Sequence, residues 1–263
     1  PGYRGHYQPK LPTELGFYDL ADDSVREKQA ALAREHGVAG FMYYYYWFSG
    51  ERLLHLPLEM LHASDTDQPF CIMWANENWT RRWDGRASDV LIGQDYSKVP
   101  AEDFIDDVME FLLDPRYMRI DGKAVLAVYR PGQMKNFADV VRTWRERARE
   151  AGAGDLYVLA VAVADEFDSI GTLGEDTGID GTLQFPPHNL PWVAGPATEV
   201  VLDHRWRGNF MSYQETVKAS LALSGSLKDN EYPGAMVAFD NTARRQWTAD
   251  TWYGSNPYTF RRW

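Results

Sequence analysis

Pro69-Phe70-Cys71-Ile72-Met73-Trp74 runs straight into Ala75-Asn76-Glu77-Asn78-Trp79-Thr80-Arg81-Arg82-Trp83-Asp84-Gly85. The first half is an apolar run of strand length, too short for a helix. The second half brings carboxylates, amides, indoles and guanidiniums to one strand exit. A strand end in a packed core is a rigid mount for such groups. Indole faces stack on the C–H faces of sugar rings, while carboxylates, amides and Arg take hydroxyls, so the mixture suits a carbohydrate site. The plainer alternative is an Asn/Asp-rich loop whose tryptophans close a barrel edge.

Outward from that stretch, strand-like and helix-like segments alternate. A capping box at Ser24-x-x-Glu27 opens a helix with Val25, Leu32, Ala33 and His36 on one face, and Gly37 ends it. Ala39–Tyr46 reads as a strand ending in Trp47-Phe48, and Leu53–Leu61 as a short helix. Further strands are expected at Pro69–Trp74, Lys123–Tyr129, Leu156–Val163, Asp180–Phe185 and Ala235–Phe239. Helices are expected at Glu102–Leu113, Phe137–Ala151 and Tyr213–Leu223, with Asn189–Asn209 a long loop. Such alternation implies a parallel α/β architecture. A doubly wound sheet would carry a Gly-rich phosphate loop after its first strand, and no G-x-G-x-x-G is present. Here each expected strand exits into aromatic or polar residues, the pattern of a (β/α)8 TIM-type barrel with its site spread over many strand ends. Six strands are legible against the eight a closed barrel needs, so an incomplete barrel is expected, as one domain over 1–263.

Composition narrows the partners. With 44% hydrophobic and 25% charged residues the chain has the mix of a globular domain, and no apolar run reaches the length of a membrane span. A net charge of −11 argues against a nucleic-acid surface. The one cysteine, Cys71, lies in an apolar run and cannot form an internal disulfide, which suits a reducing compartment such as the cytoplasm. No His/Cys/Asp grouping has metal-ligand spacing, so neither a metal nor a cofactor is expected.

Glycosidic chemistry uses two carboxyl groups flanking the scissile bond. Glu77, one step past a strand between two amides, is the leading carboxylate, as acid, base, hydroxyl ligand or partner of an Arg. Asp240 is the second, with a loop cap as its plain alternative. Asp84, Asp165 and Glu166 are further candidates. Substrate contacts are expected from Tyr44, Tyr46, Trp47, Trp74, Asn76, Asn78, Trp79, Trp83, Tyr129, His188 and Asn241. About half of the four tyrosines Tyr43–Tyr46 should face the core and half the site, because side chains alternate along a strand. Arg81, Arg82, Arg86 and Arg130 could receive a uronate, a phosphate or a nucleoside diphosphate, or brace the loop against Asp84 and Asp89.

Several blocks together resemble the WbsX-type family of glycoside hydrolase family 99-like domains. These are Gly5–Pro12, Leu15–Leu20, Tyr43–Phe48, Trp74–Gly85, Asp114-Pro115-Arg116-Tyr117 and Phe239-Asp240-Asn241-Thr242-Ala243-Arg244-Arg245. Members are found in bacterial polysaccharide gene clusters and are often named glycosyltransferases. The resemblance implies a (β/α)8 barrel and a glycan or polysaccharide substrate. Family members usually begin with a strand leading to a Pro-Gln-Phe-His-Pro-type segment. They end in an Asn-Glu-Trp-x-Glu-Gly segment whose two glutamates resemble a catalytic pair. Neither block is in these residues; Asn76-Glu77-Asn78-Trp79 shares letters with the second but lacks its second glutamate. The missing strands are therefore expected before Pro1 and after Trp263, and the open edges at Ala39–Tyr46 and Ala235–Phe239 invite self-association. Three functions follow: a glycosidase on a bacterial polysaccharide, a glycosyltransferase of cell-surface polysaccharide synthesis, or a non-catalytic glycan-binding domain. A transferase would need a diphosphate site, often with a metal-assisted Asp-x-Asp, and none is assigned here.

Overall fold

Three apolar runs without alternation, Phe70–Trp74, Lys123–Val128 and Leu156–Ala162, are buried almost throughout. Burial on both faces is the mark of central strands in a parallel sheet covered by helices. The computed structural model describes His6 and residues 10–81, 86–163, 177–190, 192–194 and 203–263, with backbone alone at 80, 81 and 86–89. Strands run in chain order from β1 (Phe41–Phe48), β2 (Glu51–Leu53) and β3 (Phe70–Trp74) to the hairpin of β4 (Trp79–Arg81) and β5 (Arg86–Ile92). Then come β6 (Arg119–Ile120), β7 (Lys123–Val128), β8 (Leu156–Ala162) and β9 (Gly181–Gln184). The last are β10 (Asn209–Ser212), β11 (Glu231–Tyr232) and β12 (Asp250–Tyr253).

The parallel strands neighbour one another in the order β1-β3-β7-β8-β9-β11, which is also their order along the chain. A doubly wound sheet reverses direction at a switch point; this one never does, which is the winding of a barrel. Among the described residues the sheet stays open, as expected for an incomplete barrel. Helices α1 (Asp23–Glu35), α2 (Leu56–His62), α3 (Phe104–Leu112), α4 (Phe137–Glu150) and α5 (Tyr213–Ser224) accompany it. The apolar stripe of α4 is Phe137, Val140, Val141, Trp144 and Ala148, all buried, so periodicity alone located this helix.

Three local readings are corrected. Helix α1 is capped by Asp22, whose carboxylate accepts from the Ser24 N–H at 2.8 Å, so Ser24 lies in the first turn and is no cap. A two-residue turn at Ser49-Gly50, both at positive φ, folds β2 back on β1, so Leu53 ends a strand and the helix expected over Leu53–Leu61 spans Leu56–His62.

The third correction concerns the sixth parallel strand, which is Glu231–Tyr232 and not Ala235–Phe239. Beyond Pro233 the chain leaves the sheet: the Met236 carbonyl accepts from Tyr213 Oη at 2.7 Å and the Phe239 carbonyl from the Trp252 N–H at 2.9 Å. Those groups are satisfied by a second, smaller layer of Met211, Tyr213, Val217, Met236 and Trp252, built on the parallel pair β10–β12. The hydrophobicity of 235–239 serves that layer.

Candidate functional site

Along β1 the parity of the side chains decides which tyrosines reach the site. Tyr45 and Trp47 point to the helices, with Tyr45 Oη donating to Asp107 Oδ2 at 2.7 Å. Tyr44 and Tyr46 point the other way, their rings 6.3 Å apart and nearly parallel. Burial, with help from Tyr46 and Tyr129, pushes the Tyr44 phenol up to about 12, so it stays a hydrogen-bond donor.

The same parity corrects two assignments. Trp74 pairs in register with Tyr45 and faces the helices, fully buried and stacked 4.2 Å from Phe104. Its indole N–H donates to the Trp47 carbonyl at 3.1 Å, and Trp47 is 2% exposed. Both indoles are core and offer no stacking surface.

Past β3, the fully buried Asn76 amide bridges two strand exits. Its Nδ2 donates to the Arg130 carbonyl at 2.9 Å and its Oδ1 accepts from the Arg130 N–H at 2.7 Å. Asn76 thus adds a side-chain rung to the β3–β7 ladder and is not free to touch substrate. That rung fixes the next residue: Arg130 Nη2 donates to Glu77 Oε1 at 3.2 Å. Asn78, exposed, accepts from the Gln94 N–H at 2.8 Å and ties down the base of the β4–β5 hairpin. The Trp79 ring packs edge-on against Tyr46 and Phe48, at 5.2 and 5.6 Å.

These strand exits open on one cleft of about 870 Å³. Its lining includes Tyr44, Tyr46, Glu77, Asn78 and Trp79 from the exits of β1 and β3, and Tyr129, Phe185 and His188 from those of β7 and β9. The His188 ring stacks on Phe185 at 5.8 Å and meets Phe239 edge-on at 5.9 Å. Burial lowers the His188 pKa, and the Arg130 charge lowers it further, so the imidazole is neutral at pH 7. Across the mouth, Asn241 holds Asp250 through their backbone and side chains, and Asn209 Nδ2 and Arg245 Nη1 reach the Asp250 carboxylate at 2.7 and 3.2 Å.

Of the proposed carboxylates, Glu77 lines the cleft and Asp240 does not. Asp240 Oδ1 accepts from the Thr242 N–H and Oγ1 at 2.9 and 2.6 Å, and its Oδ2 lies 3.0 Å from His6 Nε2. It is held in the turn that leads into the short helix α6 (Thr242–Arg245) and stands off the cleft, where the sequence reading expects a catalytic group. Arg130 braces Glu77 and lies 4.9 Å over the Tyr129 ring. The side chains of Arg81 and Arg86, and Arg82, Trp83, Asp84, Asp165 and Glu166 altogether, lie outside the described residues. The sequence reading misses Asp250, Arg244, Arg245 and Phe239, all on the cleft. They come from the second layer, whose strand β12 had not been identified. An Asp-x-Asp spacing does occur, at Asp65-Thr66-Asp67, but it precedes β3 and so lies at the end of the sheet away from the cleft. Among the described residues no group of three metal-ligating side chains converges.

The sequence profile of the family described as "Glycosyltransferase WbsX" matches residues 1–263. The protein WxcX of two strains of Xanthomonas campestris pv. campestris, itself uncharacterized, is 34% identical over 265 residues. The match takes in 100% of this chain and 37% of that protein, so the chain spans well under half of the curated relatives it matches. Among solved structures, a glycoside hydrolase-like protein aligns at a TM-score of 0.57 and 14% identity, covering 96% of this chain and 73% of the other. The GH99 endo-alpha-mannosidase from Bacteroides thetaiotaomicron aligns at 0.50 and 12% identity, covering 95% and 62%. At such identities the likeness is one of fold.

Proposed function

The chain belongs to the WbsX glycosyltransferase family, and from that premise we propose that its cleft binds a bacterial polysaccharide and cleaves a glycosidic bond. The observation that carries this reading is the pairing of two carboxylates, Glu77 and Asp250, on one cleft walled by aromatic rings. Rings such as Trp79, Tyr46 and Tyr129 suit the apolar faces of sugars. A carboxyl on each side of a bound glycosidic bond is what hydrolysis requires: one protonates the leaving oxygen, the other activates water or attacks the anomeric carbon. Neutral His188 and the Tyr44 phenol supply hydrogen bonds to hydroxyls. Asp250 takes the place first given to Asp240.

The test is to incubate the full-length protein with bacterial polysaccharides and measure new reducing ends. Glu77→Gln and Asp250→Asn should each lower turnover at least a hundredfold with the fold intact. Unchanged turnover in Glu77→Gln removes that residue from the mechanism. Glycan binding without product release would instead support a binding domain.

Transfer from a sugar nucleotide is the second reading, favoured by the two guanidiniums, Arg244 and Arg245, that line the cleft. Calorimetric binding of a nucleoside diphosphate sugar, without glycan cleavage, would reverse the order.

A further inference from the structure

We propose that the glycan taken by this cleft is acidic, and that Arg244 receives a carboxylate carried on one of its sugar rings. The inference rests on the reading of the cleft as a glycan site and adds the chemical class of the glycan.

Charge accounting over the cleft points there. The whole chain carries −11, yet two guanidiniums, Arg244 and Arg245, line this one hollow, and a third, Arg130, stands behind it on Glu77. Two have work within the protein: Arg130 is ion-paired with Glu77 at 3.2 Å, and Arg245 with Asp250 at 3.2 Å. Each carboxylate on the cleft is therefore matched by its own cation. Arg244 is left over. It lines the cleft from α6, its side chain is exposed, and among the described residues it has neither an ion pair nor a side-chain hydrogen bond. Its carboxylate neighbour in sequence, Asp240, is already taken by Thr242 and His6. A structural arginine would be expected to spend its charge on a protein acceptor, as Arg116 and Arg145 do elsewhere in this chain.

A second polar group remains unpaired behind the cleft-lining Glu77. Arg130 Nε is buried and has no acceptor, although Nη2 of the same guanidinium is bonded to Glu77. Guanidinium N–H groups match a carboxylate in a planar, two-point geometry that neutral hydroxyls do not offer. The His188 imidazole, kept neutral by burial and by the positive field of Arg130, does not compete with either cation for the anion. A sugar bearing a carboxylate would supply what the mouth lacks, an acceptor of negative charge beside an aromatic wall.

Calorimetry on the full-length protein tests this with three probes. These are hexuronate oligosaccharides, the same oligosaccharides after reduction of each carboxyl to a hydroxymethyl group, and a nucleoside diphosphate sugar. The expected result is at least tenfold tighter binding of the hexuronate form than of its reduced counterpart, with the preference shrinking as salt is raised. Arg244→Gln should remove most of that preference and Arg244→Lys should keep part of it. Arg142→Gln, the same charge change on the exposed side of α4, should leave it intact. Equal affinity for the charged and reduced forms, or an unaltered preference in Arg244→Gln, overturns the acidic-glycan assignment and leaves the glycan reading standing. Binding of the nucleotide sugar alone overturns it in favour of a diphosphate site. Failure to bind any oligosaccharide, charged or reduced, overturns both readings.

Discussion

Arg130 Nη2 meets Glu77 Oε1 at 3.2 Å across the exits of two neighbouring strands, and a buried amide sets that contact. Asn76 takes both the N–H and the carbonyl of Arg130, so Glu77 and Arg130 leave the sheet in fixed relation. Replacing Asn76 with Ala leaves two backbone groups unpaired where water is scarce. We expect a loss of about 2 kcal/mol of stability in urea unfolding, and weaker glycan binding from a loosened Glu77.

Trp74 and Trp79, five residues apart, should respond in opposite ways. Trp74→Ala empties a fully buried site against Phe104 and should cost about 3–5 kcal/mol. Trp79→Ala, half-buried on the cleft, should change stability by about 1 kcal/mol while weakening glycan binding roughly tenfold. Chemical denaturation beside calorimetry of the two variants checks the contrast.

His188 makes stability depend on pH in a known direction. Its folded pKa lies below the ordinary 6.5, through burial first and Arg130 second. Above pH 6.5 both folded and unfolded chains hold it neutral and nothing changes. As pH falls below that value the unfolded chain takes the proton first, and stability drops until the folded pKa is passed. His188→Gln should flatten this segment of the stability profile. Arg130→Gln should raise the His188 pKa in an NMR titration.

Asp114 acts lower on the pH scale. Arg116 holds it in a bidentate pair at 2.7 and 2.9 Å, and His62 adds a third contact, drawing its pKa from 3.8 down to about 2. Because the folded value is depressed, this stabilisation, about 2 kcal/mol, is complete well above pH 3.8 and is lost as pH falls through about 2. Arg116→Gln should remove it at pH 7, and the gap between variant and parent should close in acid unfolding.

Among the described residues, Phe41–Tyr45 of β1 pair with β3 alone, since β2 covers only Tyr46–Phe48. An uncovered edge invites a second chain. Made alone, this chain should show a size that rises with concentration in light scattering; a concentration-independent monomer would count against it.

The resemblance blocks turn out to mix two kinds of residue, which the sequence could not separate. Asp114–Tyr117 is structural: Arg116 also donates to the carbonyls of His62, Ser64 and Thr66, and Tyr117 Oη donates to the Val125 carbonyl from inside the core. Within Asp240–Arg245, Asp240 holds the turn ahead of a helix while Arg244 and Arg245 reach the cleft.

What the sequence determined by itself is whatever depends on spacing along one element. The buried runs of β3, β7 and β8, the stripe of α4, and the division of Tyr43–Tyr46 between two faces all follow from periods of two or of 3.6, which are local. Placing Glu77 at a strand exit was local too. Only the tertiary structure decided which indoles are core, because the direction of Trp74 depends on its register with Tyr45 and on the helix waiting behind it. Only it could bring Asp250, from a strand paired with β10, to the same cleft as Glu77, 173 positions away in the chain. A charge reaches its partner through space, and the sequence records only the distance along the chain.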